Sequence, residues 1–111
     1  MSDEQARHLR LDETNLIVAM LASKREEQSL RQELAEALVE EMTDGGMGSL
    51  RFTGAAGRKF GQQLAEAELQ DVDGVVLNIT INVDQYGSLF EFDVWKVDFS
   101  PLIRLPSPTG T

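Results

Sequence analysis

Cysteine is absent from the 111 residues, and histidine, tryptophan and tyrosine occur once each. Without thiols there are no disulfides, no thiolate zinc sites and no cysteine nucleophile, and the composition suits a reducing cytosol. Long apolar runs are lacking too. The longest, residues 16–22, is far too short to span a bilayer. The polar, acidic opening MSDEQARHLR has no signal-peptide character, so the expected location is cytoplasmic. No internal repeat is visible, which argues against a solenoid. Positive charge is also scarce: 10 Lys and Arg stand against 19 Asp and Glu, a net charge of −9. Such a field opposes nucleic acid and anionic membranes. It favours a basic protein partner, or serves solubility alone.

What is present reads as one domain of ordinary size. Residues 1–11 form a frayed lead-in, residues 12–105 the folded domain and residues 106–111 a flexible tail. Asp12 or Thr14 can cap a helix running to about residue 23, with Leu16, Ile17, Met20 and Leu21 as its apolar stripe. A second helix is predicted over 27–42. There Leu30, Leu34, Leu38 and Met42 recur at four-residue steps, while Glu33, Glu36, Glu40 and Glu41 take the other faces. From residue 48 the period falls to two, and strands are expected at about 48–53, 60–71, 75–83 and 88–97.

The turns between strands set their registers. A three-residue loop in DVDGV puts Gly74 in the left-handed position that glycine tolerates best. Leu69 then faces Leu77, Ala67 faces Ile79 and Ala65 faces Ile81. A four-residue loop, DQYG, pairs Val83 with Ser88, Ile81 with Phe90, Ile79 with Phe92 and Leu77 with Val94. Both registers set apolar against apolar, and a one-residue slip would drive carboxylates into the core. The expected fold is therefore α+β: two N-terminal helices on one face of a four-stranded antiparallel meander, in the order ααββββ. Its core should hold Leu16, Met20, Leu34, Leu38, Leu50, Phe52, Leu77, Ile79, Ile81, Phe90, Phe92 and Val94.

The stretch MTDGGMGSLRF has three glycines within four positions. A phosphate cradle needs a following helix N-terminus and a nearby cation. Here the glycines follow a predicted helix and precede a strand, so the nearby helix end carries partial negative charge. The expected role is structural: Gly45 or Gly46 ends the helix, Met47 anchors the exit and Gly48 permits a bend. The stretches DGGMGSLRF, DVDGV and FDVWKVDFSPL together resemble a small bacterial family known only as a domain of unknown function. The resemblance spans about residues 9–105 and implies a compact α+β domain. It brings no assigned activity and no site residues.

Catalytic constellations are sparse. Ser49 in GMGSL superficially resembles a nucleophile turn, but it leads into a strand and lacks a base near it, since His8 lies in the lead-in. DVDG matches only the start of a calcium loop, without the later oxygens or terminal Glu. No cofactor or metal is expected. On the outer sheet face, the registers gather Glu66, Glu68, Asn78, Thr80, Glu91, Asp93 and Trp95. Thr80 should lie between Glu66 and Glu91, and Asn78 between Glu68 and Asp93.

These seven residues are the candidate partner-binding site, with the acids orienting a basic partner and Trp95 anchoring it. The competing reading has Arg51, Arg58, Lys59 or Lys96 neutralise the acids and the proline-rich tail cover the apolar rim. The expected function is a non-enzymatic acidic protein-binding module. Its sharpest form is an immunity- or antitoxin-like protein that neutralises a basic partner such as a nuclease. The alternatives are a structural homo-oligomer formed through the outer face or a strand edge, and a small hydrolase or ligand-binding enzyme. Carboxylates on alternate strands begin ~10 Å apart, which inward-leaning side chains could close to an inverting-glycosidase spacing. A flat sheet with few aromatics, however, makes a poor cleft.

Overall fold

Period-two alternation through the C-terminal half becomes the long strands of one sheet in the computed structural model, which describes residues 6–43, 45–54 and 56–108. The elements are β1 (Arg7–His8), α1 (Leu11–Leu21), α2 (Glu27–Glu36), β2 (Leu38–Glu41), β3 (Leu50–Phe52), β4 (Phe60–Gln70), β5 (Val76–Asp84) and β6 (Leu89–Lys96). The fold is α+β, with six antiparallel strands among the described residues where four were expected. Leu16, Ile17 and Leu21 of α1 join Leu30 and Leu34 of α2 in one cluster with Val39, Leu50, Phe52, Leu77, Ile79, Ile81, Phe92 and Val94. The opposite face of the sheet carries the polar alternates.

The second helix stops six residues short of its expected end. Ala37 turns extended, at ψ 140°, and residues 38–41 pair with β1 on one side and β3 on the other. The four-residue stripe misled because Leu30 and Leu34 are buried helical positions, whereas Leu38 is 38% exposed and its neighbour Val39 is fully buried. A β-branched valine with strand partners on both sides favours the sheet over further helix. The lead-in is likewise pinned rather than frayed at residues 7–8. Arg7 holds the buried Glu13 carboxylate at 3.0 Å, and the Glu13 side chain reaches back to accept from the Arg10 amide at 2.8 Å, tying α1 to the chain before it. Residues 1–5 of the expected lead-in and 109–111 of the expected tail lie outside the described residues.

Strand order is β1-β2-β3-β6-β5-β4, so the sheet is not a simple meander. β3 pairs with β6 rather than with β4, and the chain between them crosses the end of β6 and β5. Arg58 fastens that crossing. Its guanidinium donates to the Phe52 carbonyl at 3.1 Å, the Asp84 carboxylate at 2.7 Å and the Leu89 carbonyl.

The β4–β5 register is the expected one, with Leu69 opposite Leu77, Ala67 opposite Ile79 and Ala65 opposite Ile81. Gly74 is left-handed, at φ +84°. The β5–β6 register is displaced by two residues: Ile81 faces Phe92, Ile79 faces Val94 and Leu77 faces Lys96. A bulge lies where Asn82 pairs with Glu91 but Val83 pairs with Leu89. It turns Leu89 into the core and leaves Phe90 half-buried beneath Arg58. Of the expected core, Leu38 is therefore on the surface, and Met20 and Phe90 are only partly buried.

With β2 in place, the glycine stretch is not a helix end. It is the loop joining two antiparallel strands, closed by the Met42 amide on the Ser49 carbonyl at 3.0 Å.

Candidate functional site

Two polar sites emerge from this frame, one buried and one exposed. The buried site is a knot around Lys96, which shares the inner side of β6 with Phe92 and Val94 and which the two-residue shift sets opposite Leu77, fully buried. Its ammonium donates to Asp71 and Asp73 at 2.8 Å each and to the Pro101 carbonyl at 3.2 Å. Asp71 also accepts the amides of Val72, Ile103 and Arg104. Burial alone pushes the Asp71 carboxyl up. The Ile103 amide, the Lys96 ammonium and the other two amides outweigh it and hold the group at about 2. Burial likewise works against the Lys96 charge, yet the two carboxylates keep its pKa above the ordinary lysine value.

The two carboxylates of DVDG thus grip an internal ammonium rather than calcium. The glycine loop closes over the same knot. Met47 sulfur accepts from the Lys96 amide, Gly46 carbonyl accepts from the Leu102 amide at 3.0 Å, and a Cβ on Gly48 would lie 2.9 Å from the Leu102 side chain. The three stretches that carry the family resemblance therefore meet in space and hold residues 101–105 against the sheet. The Lys96 ammonium and the Asp71 carboxylate are both occupied by the chain itself, as a structural tie would have them.

The exposed site is the outer face, and all seven residues of the candidate set stand on it, whereas Leu89, also expected there, is in the core. A shift of two residues preserves which side of the sheet each side chain takes, so only the neighbours change. Thr80 lies between Glu66 and Asp93, and Asn78 between Glu68 and Trp95. Glu91 moves to the next row, opposite Asn82 on one side and Arg51 on the other. Asn82 donates to Asp93 at 3.0 Å. Arg51 reaches Glu91 at 3.7 Å and is also opposite Glu40 of β2, an acid that the helical expectation had placed elsewhere.

Of the four cations expected to neutralise this face, Arg51 pairs with Glu91. Lys96 is buried in the knot, and Arg58 pairs with Asp84. Glu66 and Glu68 are exposed.

Trp95 is 50% exposed and packs edge-on against Phe99, which is 64% exposed, with ring centroids 5.0 Å apart. Phe99 holds a left-handed backbone at φ +65°, unusual for a bulky residue. With Val97, 44% exposed, the pair makes an apolar shelf at the end of the acidic rows. Phe99 lies past the end of β6, beyond the strand alternation that places Trp95. The proline-rich exit runs elsewhere, into the knot.

Neither site forms an enclosed ligand cleft. The depression between Glu66, Glu68, Asn78 and Thr80 measures about 270 Å³, below the usual range for ligand pockets. A larger hollow of about 660 Å³ lies beside Asp12, Asn15, Gln70, Arg104 and Pro106, and the Asp71 carboxylate at its wall is already saturated by four donors. Among the described residues no cluster of acids and histidine has the makings of a metal site, and no helix is long and apolar enough to cross a membrane.

A family model described as Domain of unknown function (DUF6984) matches residues 6–106. No curated protein and no solved structure matches the chain. The chain belongs to the DUF6984 family.

Proposed function

We propose that this member of a family without an assigned activity is a non-enzymatic binding module for a basic protein, acting through the outer face of its sheet. The observation that carries this reading is the grouping of Glu66, Glu68, Glu91 and Asp93 on one plane beside the exposed Trp95–Phe99 pair, with Arg51 as the facing cation. Acids in this arrangement steer a cationic surface and set its orientation. An exposed tryptophan beside them supplies the apolar anchor that such interfaces concentrate their energy in. Small size, a net charge of −9 and an open acidic face fit an immunity- or antitoxin-like role, the masking of a basic enzyme such as a nuclease.

The test is comparative capture from the native organism's lysate, with bound proteins identified by mass spectrometry. Wild-type protein should retain a basic protein that the Glu66→Lys/Glu91→Lys/Asp93→Lys variant loses. Trp95→Ala should weaken the same complex by about 2 kcal/mol, roughly thirtyfold. Capture of an identical set by the folded triple variant would end this reading.

A further inference from the structure

Beyond its face, the sheet has an open margin. β4 is the terminal strand and, among the described residues, pairs with β5 alone. It is 11 residues long and contains no proline and no lysine, the usual devices that blunt an edge. Irregularities near residues 60–65 break up its first half, whereas residues 65–70 keep an unbroken register.

Which backbone groups face outward follows from one hydrogen bond. The Asp71 amide donates to the Val75 carbonyl at 3.0 Å. In an antiparallel pair, residues alternate between bonding the neighbour with both backbone groups and turning both away. Ala65, Ala67 and Leu69 therefore bond β5, and Glu66, Glu68 and Gln70 present amide and carbonyl to the open edge. The Val97 amide on the Val76 carbonyl shows the same alternation one strand further in. The residues with outward-facing backbone are also those whose side chains lie exposed on the acidic face.

The geometry points to strand addition at this edge: an extended segment alternating Lys or Arg with apolar residues pairs with residues 65–70 of β4. This deepens the proposed function and rests on it, since it names the form in which the basic partner arrives. In antiparallel addition each cation of the incoming strand would sit directly across from Glu66 or Glu68 in a hydrogen-bonded pair, about 5.5 Å away at Cα, where opposite charges stabilise the pairing. The alternate apolar side chains would lie beside Ala67 and Leu69, which are half-buried on the inner face and small enough at Ala67 to leave room. A second copy of this chain fits poorly. Two-fold pairing centred on the regular stretch sets Glu66 of one copy against Glu68 of the other, or Glu68 against itself, and like charges across strands repel.

The probes are two capped eight-residue peptides of identical composition, one alternating Lys and Val, the other with four Lys followed by four Val. Each is titrated at low ionic strength into isotopically labelled protein, and affinity and amide hydrogen exchange are read by NMR. The alternating peptide should bind at least tenfold more tightly and slow exchange at the Glu66, Glu68 and Gln70 amides at least tenfold. Glu68→Gln removes the charge alone, and Glu68→Pro also removes the edge donor while leaving the β4–β5 ladder intact. The proline variant should lose a further tenfold. Equal affinity of the two peptides, unchanged exchange at those amides, or no binding by either peptide would overturn strand addition, and the exchange measurement needs no variant to fold. The face reading fails separately, when the folded triple variant captures the same proteins as wild type, and two of that variant's three residues, Glu91 and Asp93, lie on β6, away from the edge.

Discussion

Lys96 shows how one side chain joins distant parts of this chain. It was one of the cations expected to neutralise the outer-face acids, yet it stands on the inner side of β6, fully buried between two carboxylates and a carbonyl. Removing one partner of a buried ion pair leaves the other charge stranded, at a cost of about 3–5 kcal/mol. Lys96→Met should therefore lower stability by that amount in urea unfolding, and adding Asp71→Asn should recover part of it, because the orphaned negative charge is gone. A loss below about 1 kcal/mol for Lys96→Met would show that Asp71 is held by its amides alone. Such a buried pairing is not legible in a linear sequence: DVDG and WKVD are 25 positions apart at Asp71 and Lys96.

At the scale of elements, the decisive site is the junction of α2 and β2. A four-residue leucine repeat and a strand alternation overlap at residues 37–42, and local propensity does not separate them. The two assignments differ in what mutation does. If Val39 is the buried strand residue, Val39→Ala should cost about 2 kcal/mol from lost apolar burial and the cavity left behind. Leu38→Ala, at an exposed position, should change stability by less than about 0.5 kcal/mol. Thermal or chemical denaturation of the two variants checks this, and the reverse ranking would restore the longer helix. The β4–β5 hairpin was legible because Asp71–Gly74 forms a turn of fixed length. The β5–β6 hairpin was not fully legible, because the bulge near Phe90 absorbs a residue without disturbing the apolar pattern on either side.

For the whole molecule, charge organises stability and, in the proposed function, recognition. Burial pushes Asp84 up, but Arg58 and the amides of Ser88 and Tyr86 bring it below the usual carboxylate range. Asp71 sits at about 2. Carboxyls with folded values below their unfolded ones stabilise the native state above about pH 4, and that stability drains away as pH falls toward 2. Melting temperature should thus be level just above pH 4 and fall steeply below it. The decline should be shallower in Asp71→Asn, which has lost one of the titrating contributions. Recognition through the acidic face should also respond to salt. Raising ionic strength from about 0.01 to 0.15 M shortens the screening length from about 30 to 8 Å. The association rate with a basic partner should then fall several-fold while dissociation changes little.

The amino-acid pattern by itself determined the helix-then-sheet order, the β4–β5 register and the side of the sheet on which Glu66, Glu68, Glu91, Asp93 and Trp95 stand. Those properties depend on local turns and on a period of two, which survives any even shift in pairing. Tertiary structure alone decided that β3 crosses to β6, that residues 38–41 leave the helix, that Lys96 meets Asp71 and Asp73 and that β4 is left as an open edge. These outcomes depend on which strand finds which neighbour, and that choice is made by long-range burial and hydrogen bonding that no short window of sequence contains.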